Sequence, residues 1–412
     1  MTDEMIKSQN LQLRDAEEYN PIRARKKPEQ AAGIYITEDR IDCVVGTLYE
    51  EKNEDKIVHI APLQPKTKNA VLEKRMHTEI PRDDLSIKEL IQKTVDWLSS
   101  VQENLQGVVI ACFGPFESLD GRGDTHNENN NYGKLSYLPN YPLWSEKHIH
   151  FLFCSAFERS LGRCPNVRVF SDVDVAAYGE YWYRYSQLWR EEKAPFYRSK
   201  SIAFVKVSRS VGVGFAHRGA LWRGRMHTVA GAIPVKRYAR IHDGVEHVDR
   251  LPGICPFHGG SLEGLIGQNA IEARTKLDYA SANEADDWLW DMVAFYIAML
   301  CVTVCSLAAP SQIVIGGRIV RENLNVKHAK EILQRVRSHF YAYVDSNDPR
   351  LLGKTVNPDY PELRDASNFI SLPSRPTLKN GNERLAMPGR HGALRLAAAK
   401  IYEERRNTDA RR

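Results

Sequence analysis

Asp172 stands where the sequence changes character. Val167-Arg-Val-Phe-Ser171 reads as an apolar strand and Val173-Asp-Val-Ala-Ala-Tyr-Gly179 as the opening of a helix. A carboxylate between them can project into a cleft and act as a general base toward a substrate hydroxyl. The same position suits a helix N-cap, because Ser171, Asp172 and Asp174 are all good helix-start residues. Gly212, Gly214, Gly316 and Gly317 lie within or directly after apolar runs, where a missing side chain permits close backbone approach to a phosphate or nucleotide. Glycines at strand ends also mark ordinary turns, and neither cluster matches a P-loop or the dinucleotide fingerprint. Cys255-Pro-Phe-His258-Gly-Gly-Ser261 sets a thiol and an imidazole three residues apart, a spacing at which both can face one metal ion. Position 261 offers a hydroxyl instead of a further sulfur, and His227, His242 and His247 are the imidazoles able to complete a set. A glycine-rich turn without metal accounts for the same residues.

The elements that would hold these groups alternate along the chain. Gly33-Ile-Tyr-Ile36, Ile41 to Tyr49 and Ile57 to Ala61 read as a meander of short strands. From Asp84 to Leu105, apolar residues fall at mostly helical spacing, and Gly107 to Phe113 returns to a buried strand. A polar loop from Glu117 to Asn140, with Asp120-Gly-Arg-Gly and the cluster Asn127 to Asn131, serves either binding or simple mobility. His148 to Leu161 is helical, Ser201 to Val207 and Val211 to His217 are two strands, Trp288 to Leu307 is a helix, and Gln312 to Ile315 is a strand ending at Gly316-Gly317. This order fits two α/β lobes with binding between them or outside strand ends.

Composition narrows the class. The chain has 412 residues, enough for two or three domains or lobes, and its net charge of +5 marks no nucleic-acid surface. The seven cysteines (43, 112, 154, 164, 255, 301 and 305) form no dense framework, and acidic residues precede any apolar run. Both point to a reducing, cytoplasmic setting. Met292 to Pro310 is the most apolar stretch, and its polar interruptions fit a buried helix and no membrane span. Residues 1–30 read as a disordered polar tail, in which Arg23-Ala-Arg-Lys-Lys-Pro28 also matches a short nuclear-targeting run.

Taken in order, these segments resemble the ROK family of sugar kinases and regulators, in its fructokinase-like branch. The residues that carry the resemblance begin with Phe113-Gly-Pro115, Lys134 to Pro139 through Trp144, and Val169 to Glu180. They continue with Gly253-Ile-Cys-Pro-Phe-His-Gly-Gly-Ser-Leu-Glu-Gly264, Ile313 to Gly317 and Gly389-Arg-His-Gly-Ala393. The resemblance implies an actin/hexokinase-like (ribonuclease H-like) fold, with two α/β lobes closing over ATP-Mg and a sugar. Its implied lobes are 31–165 plus 388–406, where the last helix returns to the first lobe, and 166–387. It implies Asp172 as catalytic base, Gly114, Pro115, Asp174 and Glu180 on the substrate side, and Gly212, Gly214, Gly316 and Gly317 on the nucleotide side. Cys255 and His258 stand as an incomplete zinc site, and a homodimer is an implied assembly.

Four places depart from the family pattern. The first phosphate turn, Asp or Glu-x-Gly-Gly-Thr-Lys, falls on Tyr35-Ile-Thr-Glu-Asp-Arg40, which has no glycine and two added carboxylates. The second, Gly-Thr-Gly-Ile-Gly-Gly, falls on Ser208-Arg-Ser-Val-Gly-Val213, where Arg209 is a bulky cation at the phosphate's approach. The sugar-binding Glu-x-Gly-His falls on Val229-Ala-Gly-Ala232, and a zinc cysteine is replaced by Ser261. A smaller change puts Asp174 where the family's Asp-x-Asn triplet ends. Together they lead to the expectation of a pseudokinase with a binding or regulatory role. The alternative is an active ATP-dependent hexose kinase of the fructose type, using Asp172. A DNA-binding repressor of the same family is not expected, since the tail before Ala31 is too short for a helix-turn-helix.

Overall fold

The computed structural model describes residues 11–12, 29–37, 40–50, 58–62, 78–79, 84–101, 104–117, 131–190, 200–224, 227–242, 244–276, 287–320, 326–344, 369–374 and 388–409. The basic run at 23–28 and the polar loop at 118–130 lie outside them. In chain order the first elements are β1 (Gln30–Ile36), β2 (Arg40–Glu50), β3 (Val58–Pro62), α1 (Asp84–Val101), β4 (Leu105–Cys112), α2 (Ile149–Leu161), β5 (Asn166–Ser171) and α3 (Asp172–Arg190). There follow β6 (Ser201–Val207), β7 (Val211–His217), β8 (Ala220–Leu221), β9 (Ala239–His242), β10 (Val245–Val248), α4 (Leu262–Ile266) and α5 (Gln268–Thr275). The last are α6 (Asp287–Ala308), β11 (Gln312–Gly316), α7 (Val326–Tyr343), β12 (Ile370–Ser371) and α8 (Pro388–Asp409).

The chain forms two compact units: Met1–Ser199 with Ala216–His227 and Ser374–Arg412, and Lys200–Phe215 with Thr228–Pro373. The division falls later than the boundary at 165/166 read from the sequence. Its reason is pairing: β5 lies beside β4 in parallel register, which draws β5 and the helix that follows into the first unit.

In the first unit the sheet order is β3-β2-β1-β4-β5. β1, β2 and β3 form the antiparallel meander, and β1, β4 and β5 run parallel. Within the stretch read as a tail, Leu11–Gln12 pairs in parallel with Val58–His59, and Gln30 already belongs to β1. β1 is buried on both faces from Ala31 to Ile36, as a near-continuous apolar strand at a sheet centre must be. The returning helix α8 covers one face at close range. A Cβ on Gly33 would lie 2.5 Å from the Leu394 amide nitrogen, and one on Gly392 would lie 2.1 Å from the Val175 carbonyl oxygen. Small residues therefore let α8 settle against β1 and α3, and the alanines at 393 and 397–399 are buried there. On the opposite side α1 buries Ile87, Leu90, Ile91, Val95 and Leu98, a helical stripe that ends before Leu105 starts β4.

In the second unit the sheet runs β7-β6-β11-β12, with β11 parallel to both β6 and β12. The apolar helix α6 is its core element. Met292, Val293, Tyr296, Ile297 and Cys301 are buried among the strands and α7, so the helix is long and apolar enough to span a membrane yet is spent on packing. The last two residues of β7, with β8 and the segment to His227, pass into the first unit.

Candidate functional site

The first unit gathers polar groups at one corner, where two parallel strands end together. Cys112, the last residue of β4, is level with Ser171, the last residue of β5. Gly114-Pro115 therefore leaves the sheet alongside Ser171-Asp172, at the carboxyl ends of the strands. The Gly114-Pro115 peptide is cis. Asp172 and Asp174 are buried in the first turn of α3, where the positive end of the helix favours carboxylates.

The segment that enters from β8 supplies the rest. The His227 ring lies flat against Gly114, so that a Cβ there would be 2.6 Å from His227 Cε1, and its centroid is 5.6 Å from that of Phe116. Burial pulls the His227 imidazole below its ordinary value, while the Asp172 carboxylate acts in the opposite sense. The ring is thus biased to the neutral form near pH 7. The Arg223 guanidinium sits 4.7 Å above the Phe170 ring, two residues before Asp172. The Ser171 hydroxyl is buried and has no hydrogen-bond partner in the structure.

Glu180 has a different task. Its Oε1 accepts from the Ser374 amide at 2.7 Å, and its Oε2 accepts from the Ser374 hydroxyl and from Arg184 Nε, both at 2.8 Å. Both oxygens are thus used in tying α3 to the point where the chain returns to the first unit.

In the second unit, the turn from Ser208 to Ser210 is closed by its own hydrogen bonds. The Ser208 amide donates to the Ser210 carbonyl at 3.0 Å, and the Ser208 carbonyl accepts from the Gln268 amide at 3.0 Å. The Ser208 hydroxyl accepts from the Arg318 amide at 3.0 Å. The Val211 amide, one residue past the turn, donates to the Glu263 carboxylate at 2.9 Å. Gly212 and Gly214 lie inside β7 and not in the turn.

Gly316 and Gly317 are explained by packing. A Cβ on Gly316 would lie 2.3 Å from Phe204 Cζ, and Gly317, with φ of +96°, would meet the Val207 carbonyl oxygen at 2.3 Å. Tyr35, where the family pattern has a carboxylate, packs on the start of α8, so that a Cβ on Gly389 would be 2.2 Å from its ring. A nucleotide phosphate needs inward-facing backbone amides and unopposed positive charge. The residues present fit it poorly: the Ser208 and Val211 amides are spent within the protein, and the Glu263 carboxylate stands next to the turn.

The Cys255-His258 segment is a self-closed loop. The Cys255 amide donates to the Gly259 carbonyl at 3.2 Å and the Gly259 amide returns a bond to Cys255 at 2.8 Å. The thiol and His258 Nδ1 are 3.7 Å apart, and no group of three metal-ligating side chains occurs among the described residues. Of the imidazoles considered as further ligands, His227 belongs to the Asp172 corner and His247 stacks on Trp288 at 5.0 Å; the His242 side chain lies outside the described residues. Two donors do not fit a structural zinc, which takes four. The loop is braced otherwise: Arg237 Nη2 donates to the Pro252 carbonyl at 2.9 Å, and the buried pair Arg274-Asp249 closes at 2.8 Å. Gly264 is required because a Cβ there would fall 2.0 Å from the Gly259 carbonyl oxygen.

The structure thus brings together Gly114, Pro115, Asp172 and Asp174, and gives Glu180 to a structural tie. Sequence reading passed over Arg223 and placed His227 only among zinc ligands. Neither residue stands in a periodic run, and only their spatial return to the β4 and β5 ends reveals them.

Comparison with known proteins follows the same outline. The ROK family model matches residues 63–356. A fructokinase of Streptococcus mutans is 27% identical over 298 residues, spanning 72% of this chain and 83% of the relative. The ROK family glucokinase from Streptomyces griseus, solved with glucose and AMPPNP, superposes with a TM-score of 0.53 at 16% identity, over 89% of this chain and 99% of that one. A ROK family transcriptional regulator described as a homolog of E. coli MLC protein gives 0.54 at 12% identity, over 91% and 79%. At these identities the solved structures establish the fold, which is the two-lobed actin/hexokinase-like architecture.

Proposed function

Because the chain belongs to the ROK family, we propose that it retains the fructokinase-like scaffold as a binding or regulatory protein and has given up phosphoryl transfer. The observation that carries this reading is Ser208 at the head of the Ser208–Ser210 turn, whose amide, carbonyl and hydroxyl are already paired within the protein. Phosphoryl transfer depends on positioning and electrostatic stabilisation of the transferred group, so a turn whose Ser208 and Val211 amides are already paired, the latter with the Glu263 carboxylate, weakens the main source of acceleration. Function follows the site and not the fold, and relatives on this scaffold include both a kinase and a transcriptional regulator. The seven cysteines stand outside any disulfide, which accords with a cytoplasmic setting. Self-association or a protein partner belongs to the same reading.

A second reading, an active ATP-Mg-dependent hexose kinase, is favoured by one observation: Asp172 is retained and buried at the head of α3. The two are separated by measuring ADP formation from ATP-Mg across a panel of hexoses and amino sugars, with Asp172→Ala as control. No sugar-dependent ADP from folded protein is the expected result. Turnover that disappears in the control overturns the proposal in favour of the kinase.

A further inference from the structure

The first unit sets two thiols together where α2 gives way to β5. α2 ends at Leu161, Gly162 caps it with φ of +69°, and the chain doubles back through Arg163 and Cys164 to start β5 at Asn166. This reversal returns Cys164 to Cys154 of α2, and the two thiols are hydrogen-bonded to each other. The Cys164 thiol donates onward to the Pro165 carbonyl at 3.2 Å, and Cys154 Sγ lies 3.6 Å from His150 Nε2, one helical turn before it. Hydrogen bonds also pin the turn from outside. Arg163 Nη2 donates to the Leu105 carbonyl at 2.7 Å, the Ser160 hydroxyl to Asp96 at 2.6 Å and Arg159 Nε to Gln92 at 2.8 Å, which hold the end of α2 against β4 and α1.

The two sulfurs differ in access. Cys154 is 3% exposed, whereas Cys164 is partly exposed. The hydrogen bond to Cys164, burial, and the Cys164 and Glu158 charges nearby hold the Cys154 thiol above its ordinary value, so it keeps its proton and is not the first to meet a small oxidant. We propose that Cys154 and Cys164 form a peroxide-responsive modification site that closes reversibly to a disulfide, with Cys164 as the thiol oxidised first and Cys154 as the resolving thiol. In the first step the Cys164 thiolate gives an electron pair to one oxygen of hydrogen peroxide, the O–O bond breaks, hydroxide leaves and a sulfenic acid forms. In the second step the Cys154 sulfur attacks the Cys164 sulfur, the S–O bond breaks, and the thiol proton leaves with the hydroxyl as water. Together the steps convert two thiols and one hydrogen peroxide to one disulfide and two waters. In a reducing compartment such a disulfide is transient, because thiol exchange returns it to the reduced pair. Both cysteines lie toward the opposite end of β5 from Asp172, so the assignment holds whether or not the protein transfers phosphate.

The test treats the full chain with a small molar excess of hydrogen peroxide, blocks the remaining thiols with iodoacetamide in denaturant, and digests with trypsin without reduction. Cleavage after Lys147, Arg159, Arg163 and Arg168 puts Cys154 on the peptide His148–Arg159 and Cys164 on the peptide Cys164–Arg168, so the disulfide is read as one species joining the two. Most chains are expected to carry it, to lose it in dithiothreitol, and to leave Cys255, the other partly exposed thiol, alkylated. The oxidised protein is expected to melt at a higher temperature than the reduced one, since the cross-link restricts the unfolded chain. Cys154→Ser is expected to stop at a sulfenic acid on Cys164, trapped by dimedone. Cys164→Ser changes a partly exposed position, and is expected to fold as the wild type does and to give neither a linked species nor an oxidised Cys154. No linked species from the oxidised wild type, linkage through Cys255 in its place, no dimedone adduct on Cys164 in folded Cys154→Ser, or undiminished oxidation of Cys154 in Cys164→Ser would each overturn the assignment.

Discussion

Glu180 holds Ser374 through both carboxylate oxygens, one receiving the Ser374 amide and the other its hydroxyl, across 194 positions of sequence. The tie fixes the point at which the chain re-enters the first unit before α8 is laid over β1 and α3. Since the Glu180 side chain is 1% exposed, its removal leaves buried donors without an acceptor. Glu180→Gln is expected to cost about 1–3 kcal/mol of unfolding free energy. Urea denaturation followed by circular dichroism measures it, and an unchanged midpoint would show that the tie contributes nothing.

A buried charge cluster in the second unit sets an acid limit. Asp291 accepts from His339 Nε2 at 2.8 Å and from the Tyr238 hydroxyl at 2.8 Å. Burial alone would raise its carboxyl, but the hydrogen bonds from His339 and Tyr238, aided by Arg240, hold it at about 2 against an ordinary 3.8. A depressed carboxylate stabilises the fold fully above its unfolded value and loses that contribution as pH falls toward its folded value. The stability difference between the wild type and Asp291→Asn is therefore expected to be constant from about pH 6 to 5, to shrink from about 4, and to vanish near 2. Urea midpoints across this range test it.

The loop around Cys255 is braced by arginine. Arg274→Ala leaves Asp249 buried with one cation fewer, and a broken buried pair costs about 3–5 kcal/mol. The exposed Arg237, at 3.5 Å, and the Tyr296 hydroxyl, at 2.6 Å, still contact Asp249 and place the expected loss at the lower end of that range. Cys255→Ser is expected to change stability by less than about 0.5 kcal/mol, and a chelator to leave the melting temperature unmoved. A melting temperature lowered by chelation, together with zinc in elemental analysis, would restore the metal.

Gly317 tests whether the paired glycines answer to packing or to a nucleotide. Its φ of +96° and its approach to Val207 leave no room for a methyl group. Gly317→Ala is expected to destabilise the free protein by roughly 2–4 kcal/mol, the sum of left-handed backbone strain and overpacking. An alanine variant as stable as the wild type would return these glycines to ligand binding.

Much of the architecture is legible in the order of residues, because its causes are local. The short apolar run over Gly33 to Ile36, the helical stripe from Ile87 to Leu98 and the apolar run of α6 each declare an element through a pattern that neighbouring residues carry themselves. The family likeness is equally local, since Val169 to Glu180 and Gly253 to Gly264 are continuous motifs. What tertiary structure decides is which polar groups are already spent. Ser208 is occupied by Arg318, 110 positions away, Glu180 by Ser374, and Gly389 by Tyr35, and no spacing rule links these pairs. The domain boundary after Ser199 follows from the register of β4 and β5 in the same way. His227 and Arg223 join Asp172 because a strand leaves one unit and its continuation folds into the other, and only the folded chain brings residues that far apart in sequence to one corner.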